Sequence, residues 1–182
     1  AVRRLVCMPS IWRKLHIPDA IRIGRSQKMP ELGPQILFFS GGSALNKMSR
    51  TLKNYTHNSI HLVTPFDSGG SSAKLRDEFN MPAVGDLRSR LMALADETVL
   101  GQPDVYDLFN YRLNPEQSNA LLRQELKRLE SGEHLLMSKI TSPLRELIQT
   151  QLTITNKNIS QDFNLGGASI GNLIIAGGYL NN

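Results

Sequence analysis

The sequence predicts an α/β fold in which a parallel sheet is flanked by helices, and two stretches carry this prediction. Residues 36–43 form an apolar run that ends in a glycine pair, after which apolar residues recur at helical spacing. Residues 60–72 repeat this order of apolar run, glycine-rich turn and helical pattern. Two strand–turn–helix units in tandem favour parallel strands with both turns at one edge of the sheet. Ligands bind at that edge in open α/β sheets, and the first turn of a helix there suits an anion.

Composition is that of one soluble, globular domain: 182 residues, of which 40% are hydrophobic and 20% charged. No apolar run approaches the roughly 18 to 20 residues of a membrane span. Residues 1–30 carry a balance of +6 and the remainder −1, so the body lacks the basic face of a nucleic-acid-binding domain. The single cysteine, Cys7, excludes an internal disulfide and a CxxC metal site, and a cytoplasmic setting is the default.

Residues 1–34 are predicted to be a basic N-terminal extension and linker, and residues 35–182 the nucleotide-binding part. The extension has the pattern of an amphipathic helix broken at Pro9 and Pro18. Packing on the body or contact with a partner is the preferred interpretation, and a membrane-surface or nucleic-acid arm is the alternative. Its predicted apolar face consists of Leu5, Met8, Trp12 and Leu15.

The second glycine turn is the richer of the two in chemistry. Asp67 follows the predicted strand 60–64, and a carboxylate at that point can hold a divalent metal or a ribose diol. The glycines and serines of residues 68–72 let the backbone approach phosphate oxygens closely. The alternative is a structural Asx-turn, in which Asp67 or Ser71 caps the helix that follows.

Two further helical regions are expected. Residues 85–94 form a helix with Leu87, Leu91 and Leu94 buried; its Asp86 complements the helix dipole. Arg88 on this helix, and Arg76 on the one before it, are candidates to meet a phosphate. Residues 114–152 are read as helical scaffold, capped by Asn114 and restarted at His134 and after Pro143, with Leu121, Leu122, Leu126, Leu129, Leu144, Leu147 and Ile148 facing inward.

The last informative stretch, residues 164–178, places glycines and Ser169 before an apolar helix, which gives a third helix N-terminus suited to an anion. Gly171 and Gly177 inside that helix cost about 1 kcal/mol each relative to alanine, so close packing or ligand approach is expected there. Only two strands are evident, too few for the helices that follow. The chain is therefore expected to be the N-terminal part of a larger domain.

Three blocks taken together resemble a known family. GGSALN, TPFDSGGSSAKLRDEFNMPAVGDLRSRLMALAD and NLGGASIGNLIIA are similar to blocks of the 2-phospho-L-lactate transferase (CofD-like) and gluconeogenesis-factor (YvcK-like) family, over residues 36–178. The resemblance implies a Rossmann-like α/β domain larger than this chain. One branch of the family moves a phospholactate-type group from a nucleotide diphosphate conjugate onto a deazaflavin alcohol, with magnesium. The other branch binds a nucleotide sugar and acts in carbon-metabolism and cell-wall regulation.

The resemblance also implies site residues. Asp67 is the catalytic candidate and the candidate ligand for Mg²⁺. The nucleotide- and phosphate-binding candidates are Gly41, Gly42, Ser43, Ser68, Gly69, Gly70, Ser71, Ser72, Arg76, Asp86, Arg88, Asn164, Gly167, Ser169, Gly171 and Asn172.

Three departures weaken the case for catalysis more than the case for binding. Phe66 replaces the first acid of the family's acidic pair, which leaves one carboxylate for a metal. Ala168 replaces a histidine that could donate a proton. Ala44 replaces the third glycine of the first turn.

The preferred interpretation is a regulatory protein that binds a nucleotide sugar or another nucleotide diphosphate. The alternative is a magnesium-dependent group transferase acting on a nucleotide diphosphate conjugate. A dinucleotide-dependent redox enzyme is disfavoured because GGSALN lacks the GxGxxG spacing, and no GxxxxGK[ST] phosphate loop exists in the chain. The four histidines show no metal-ligand spacing. Neither nucleic acid nor a membrane span is expected, and a homo-oligomer is left open.

Overall fold

The computed structural model describes residues 14, 16–66 and 69–181, except for the side chain of Val99. Within these residues the chain forms a two-stranded sheet, nine α-helices and two short 3-10 helices at Pro30–Leu32 and Val99–Gly101. The strands and α-helices are α1 (Ala20–Lys28), β1 (Ile36–Ser40), α2 (Asn46–Leu52), β2 (Ser59–Val63), α3 (Gly70–Phe79), α4 (Gly85–Leu94), α5 (Pro103–Asn110), α6 (Asn119–Ser131), α7 (Leu135–Ser138), α8 (Leu144–Asn158) and α9 (Ile170–Leu180).

The sheet confirms the predicted α/β class. Strands β1 and β2 run parallel, with Ile36 opposite Ser59 and Ser40 opposite Val63, and α2 makes the crossover between them. The two glycine turns follow the carboxyl ends of these strands, as the tandem pattern predicts. The fold is a parallel sheet flanked by helices, consistent with part of a Rossmann-like domain.

The two faces of the sheet differ. On the face toward α4, the Phe38 ring stacks on the His61 ring with their centroids 5.0 Å apart. The other face carries four apolar side chains that are between 43% and 80% exposed: Leu37, Phe39, Ile60 and Leu62. Within the described residues no helix covers this second face.

The hydrophobic core lies among the helices rather than on the sheet. Its fully buried members come from α3, α5, α6, α8, α9 and the segments between them, and α9 is buried along most of its length. Helices α8 and α9 pack so closely that a Cβ on Gly177 would lie 2.0 Å from the carbonyl oxygen of Gln151. The Thr155 hydroxyl donates to the carbonyl oxygen of Leu173 at 2.7 Å across the same contact. The close packing expected at Gly177 is confirmed.

The buried stripe predicted for α4 is wrong. Leu87 and Leu91 are 39% and 48% exposed, whereas Arg90, Met92 and Ala93 are buried. The guanidinium of Arg90 reaches inward to the hydroxyl of Ser49 on α2 at 2.5 Å. Because α4 packs against α2 and α9 together, its buried face is rotated from the one that leucine spacing indicates.

The scaffold helices also differ in detail from the prediction. Helix α6 begins after Ser118, because the Asn114 side chain accepts from the amide of Glu116 and forms a local turn instead of a helix cap. Leu121 and Leu147, predicted to face inward, are 52% and 55% exposed. His134 does begin a short helix, since its Nδ1 accepts from the amide of Leu136.

The described part of the basic extension contains a helix that begins after the predicted break at Pro18. Helix α1 begins after Asp19, whose side chain accepts from the amide of Arg22 at 3.2 Å, and none of its residues is buried. The predicted apolar positions Leu5, Met8, Trp12 and Leu15 lie outside the described residues. None of the described helices is both long and apolar enough to cross a lipid bilayer.

Candidate functional site

Three helix N-termini meet at one point beside the ends of the strands. The link between α3 and α9 is the hydroxyl of Ser71, which accepts from Asn172 Nδ2 at 3.1 Å and from the amide of Ser169 at 3.4 Å. Ser71 is 8% exposed and Asn172 is 2% exposed, so the contact is almost entirely removed from water. The start of α9 is thereby fixed against the start of α3.

A second serine fixes α4 to the same point. Ser72 Oγ accepts from the amides of Val84 and Gly85, at 3.0 Å and 2.8 Å, and Ser72 is 2% exposed. These amides belong to the beginning of α4, where free N–H groups need an acceptor. No side chain of the capping residues Gly69, Val84 or Ser169 caps its own helix. The positive ends of three helix dipoles therefore converge.

A cleft of about 200 Å³ opens over this junction. It brings together the first glycine turn, the second glycine turn, the start of α4 and the start of α9, although these lie up to 130 residues apart in the chain (42 to 172). Its described lining consists of Gly42, Ser43, Gly69, Gly70, Ser71, Ser72, Gly85, Asp86, Arg88, Ser89, Arg112 and Asn172.

The cleft carries two guanidinium groups. Arg88 donates from Nη1 to the carbonyl oxygen of Phe109 at 3.1 Å, and its buried Nε has no partner in the part of the chain that the structure describes. Arg112 is exposed and donates to the carbonyl oxygen of Gly167 at 3.2 Å. Among the described residues neither arginine has a carboxylate within 4.0 Å.

The positive charge is concentrated. Burial lowers the pKa of Arg88, and the nearby charge of Arg112 lowers it further. Arginine still remains protonated at neutral pH, so the two groups repel each other. A bound anion would relieve that repulsion.

The same cleft offers oxygen acceptors. Asn172 Oδ1 is buried and has no hydrogen-bond partner among the described residues while its Nδ2 is used, so within this part of the chain the amide oxygen is available to a donor or a cation. The Asp86 carboxylate stands in the first turn of α4, with Oδ2 3.7 Å from where a Cβ on Gly41 would lie. Carboxylate and amide oxygens are ligands that Mg²⁺ accepts. In the described part of the chain no cluster of three or more His, Cys, Asp or Glu could hold a metal by itself.

Several residues predicted for the site lie outside the cleft lining and support it from behind. Gly41 packs against Thr64, and a Cβ there would lie 2.6 Å from the Thr64 Cγ2 atom. Ser169 is fully buried beneath the cleft. Gly171 leaves room for the Arg88 side chain and for the Phe109 carbonyl.

Three other residues predicted for the site also lie outside the described lining of the cleft. Arg76 stands in the last turn of α3, at the end remote from the cleft, and donates to Asp77 at 3.1 Å. Asn164 accepts from the amide of Gly166 at 2.8 Å in an exposed turn. Gly167 has φ of +71°, a conformation that favours glycine, and its carbonyl oxygen accepts from Arg112.

Asp67 and Ser68, the candidates at the centre of the second turn, lie outside the described residues. Their predicted roles remain predictions. The neighbouring Phe66, which stands in place of an acid, is 79% exposed.

Sequence reasoning misses three lining residues: Gly85, Ser89 and Arg112. Gly85 and Ser89 flank predicted residues, and Ser89 Oγ accepts from Asn46 Nδ2 at 2.8 Å. Arg112 carries no local signal, because it follows a scaffold helix and reaches the cleft through pairing of its backbone with that of Ser169. Only the tertiary fold identifies it.

Comparison with known proteins supports the grouping of these segments. The family described as 2-phospho-L-lactate transferase CofD matches residues 36–181, which include every described residue of the cleft. The chain belongs to this family. The predicted resemblance is thereby confirmed.

Similar curated proteins come from bacteria and from a yeast. Residues of this chain are 45% identical over 80 residues to a putative gluconeogenesis factor of Nostoc sp., covering 44% of this chain and 17% of that protein. The gluconeogenesis factor of Bacillus subtilis is 42% identical over 81 residues, covering 44% of this chain and 24% of that protein. An uncharacterised protein of Saccharomyces cerevisiae is 27% identical over 155 residues, which is 80% of this chain and 33% of that protein.

The chain therefore spans about a quarter or less of the length of the bacterial relatives that it matches first. No solved structure matches the chain significantly.

Proposed function

We propose that the cleft binds the diphosphate of a nucleotide sugar or a related nucleotide conjugate. The observation that carries this proposal is the pair Arg88 and Arg112, which face one cleft without a carboxylate partner in the described part of the chain. A diphosphate spreads its negative charge over several oxygens and can therefore pair with two planar guanidinium groups at once. A single carboxylate has only two oxygens and suits such a pair less well.

The surrounding groups support the same ligand chemistry. The hydroxyl oxygens of Ser71 and Ser72 each already accept two hydrogen bonds, so the hydroxyl protons remain for an acceptor such as a phosphate oxygen. The glycines of the second turn allow close approach of the backbone, and the helix dipoles add positive potential. A nucleotide hydroxyl is a suitable donor to Asn172 Oδ1.

The proposed role is regulatory, in carbon or cell-wall metabolism and in the cytoplasm. Several curated relatives are named gluconeogenesis factors, a name that describes an effect on metabolism rather than a reaction. Binding of this kind does not need a metal, because the described charges at the cleft already complement the ligand.

Isothermal titration with uridine diphosphate N-acetylglucosamine tests the proposal. We expect micromolar binding with and without magnesium, and Arg112→Ala should weaken it about ten-fold or more, as loss of a charge-assisted hydrogen bond does. Arg50→Ala is the matched control, since Arg50 is an exposed arginine on α2 that does not line the cleft. Equal binding by wild type and Arg112→Ala would contradict the proposal.

The second candidate is a group transferase, which the description of the family favours. In such a reaction an acceptor hydroxyl attacks the distal phosphorus of the conjugate and the nucleoside monophosphate leaves. Asp67 would assist the acceptor and hold Mg²⁺, which neutralises charge on the diphosphate. Arg88 and Arg112 would bind the phosphoryl oxygens in either case.

Asp67→Ala separates the two candidates. A binding protein should lose affinity only modestly, because the arginines and the helix N-termini remain. A transferase should lose product formation while retaining some binding, and wild-type turnover should disappear when magnesium is removed. The readout is the amount of nucleoside monophosphate formed, which is measured by chromatography.

A further inference from the structure

The loop that carries Arg112 is held to the cleft by its backbone. The loop begins directly after α5. Backbone hydrogen bonds of the two residues that flank Arg112 join it to the residues at the start of α9. The amide of Ile170 donates to the carbonyl oxygen of Tyr111 at 2.9 Å, and the amide of Leu113 donates to that of Ala168 at 3.0 Å. The backbone of Arg112 is therefore fixed, but its exposed side chain makes a single long hydrogen bond to Gly167.

The neighbouring side chain ties this loop to a second helix. The Tyr111 hydroxyl donates to Glu125 Oε1 on α6 at 2.5 Å, and the Tyr111 ring lies against the His134 ring with centroids 5.5 Å apart. His134 Nε2 lies 3.8 Å from the same carboxylate oxygen. Three side chains from three segments thus meet behind the loop.

The tyrosine remains a donor over the physiological range. The hydrogen bond to Glu125, followed by burial, raises the pKa of Tyr111 to about 12. A phenol that stays protonated at neutral pH can donate to the Glu125 carboxylate. Neither Tyr111 nor Glu125 is among the described residues that line the cleft. Their hydrogen bond therefore does not contribute directly to the charge of the cleft.

We propose that Tyr111, through its hydrogen bond to Glu125, is a positioning residue that holds Arg112 over the anion cleft. The inference rests on the proposed binding function and adds a residue that does not touch the ligand. An arginine side chain loses considerable conformational entropy when a ligand fixes it, and a rigid supporting loop reduces the further ordering needed on binding. Without the bond, the start of the loop is held by its main-chain contacts and by packing of the Tyr111 ring, and the side-chain link to α6 is lost.

The test is titration of the protein with inorganic pyrophosphate. Tyr111→Phe keeps the ring and removes the hydroxyl, and we expect pyrophosphate affinity to fall about five-fold, the effect of one ordinary hydrogen bond. Glu125→Gln retains an oxygen that accepts from Tyr111 and should bind nearly as well as wild type. Glu125→Leu removes the acceptor and should match Tyr111→Phe. Thermal melting of each variant checks that it is folded.

A double-variant cycle distinguishes positioning of Arg112 from a general structural effect. In the Arg112→Ala background, Tyr111→Phe should cause no further loss of affinity, because the residue that it positions is gone. An unchanged affinity of Tyr111→Phe, or an equal loss in both backgrounds, would overturn this inference while leaving the proposed function intact. If Arg112→Ala itself binds pyrophosphate like wild type, the proposed function fails, and this inference fails with it.

Discussion

The Cδ atom of Arg88 lies 2.8 Å from the point at which a Cβ atom on Gly171 would stand. The carbonyl oxygen of Phe109 lies 2.6 Å from the same point and accepts from Arg88 Nη1. A helical glycine, which lowers the stability of α9, thus makes room for both the side chain and the acceptor that aim a guanidinium into the cleft.

Gly171→Ala should therefore reduce both stability and anion binding. The added methyl group has backbone on one side and Arg88 on the other, and such overpacking costs about 1–3 kcal/mol, more than the helix propensity of alanine recovers. Urea unfolding and pyrophosphate titration measure the two effects. Gly178→Ala is the matched control on the same helix: among the described residues, the contact of its Cβ within 4 Å would be Gln151 Oε1 at 3.9 Å, so it should be neutral or stabilising. Similar stability of the two variants would contradict the packing argument.

Ser72→Ala should destabilise the junction of α3 and α4. It removes the acceptor of two amides, those of Val84 and Gly85, in a buried position. Unsatisfied buried donors cost about 1–3 kcal/mol, measured as a shift of the urea midpoint. Ser131→Ala, an exposed serine at the end of α6, should change stability by less than about 0.5 kcal/mol.

The free energy of unfolding should fall as the pH is lowered below about 6.5, partly because of two histidines. Burial is the main cause that lowers the pKa of His61, with Arg90 adding to it, and burial also lowers the pKa of His134 against the opposing charge of Glu125. In that range the unfolded chain binds more protons at these groups than the folded chain, so acidification favours unfolding. The contribution of these two histidines to the free energy of unfolding is fully present above the pKa that they have in the unfolded chain. It is lost as the pH falls through the lower pKa that they have in the folded protein.

Urea unfolding at about pH 7.5 and about pH 5.5 measures this slope, a range that brackets the ordinary histidine pKa. His61→Asn and His134→Asn should each reduce the difference between the two conditions. A double variant with an unaltered slope would show that other groups cause the pH dependence.

Phe39→Thr should change stability by less than about 0.5 kcal/mol, because the Phe39 side chain is 80% exposed. The same change at Phe38, whose ring stacks on His61, should cost more. Parallel thermal melts of the two variants make the comparison. A large loss for Phe39→Thr would show that another part of the protein covers this face of the sheet.

The fold class and the segments that form the cleft could be predicted because each has a local signal. The strand–glycine–helix order at residues 36–43 and 60–72 specifies parallel strands with turns at one edge, and the glycines before Ser169 specify a third helix start. Most of the cleft lining follows from these three patterns.

The features that the sequence does not predict depend on how distant elements pack. Leucine spacing on α4 indicates Leu87 and Leu91 as buried, but the position of α2 selects the Arg90 face. Arg112 enters the cleft through pairing with Ser169, which no local pattern encodes. Hydrophobic periodicity gives the existence of a helix more reliably than its orientation.

The bond between Ser71 and Asn172 joins residues 101 positions apart, and this separation has a consequence for folding. Closing so long a loop costs entropy before any contact compensates it, so such contacts form late. A chain in which α9 has not yet docked lacks the floor of the cleft that Asn172 supplies. Binding of pyrophosphate during refolding, on the proposed function, should accordingly report the docking of α9.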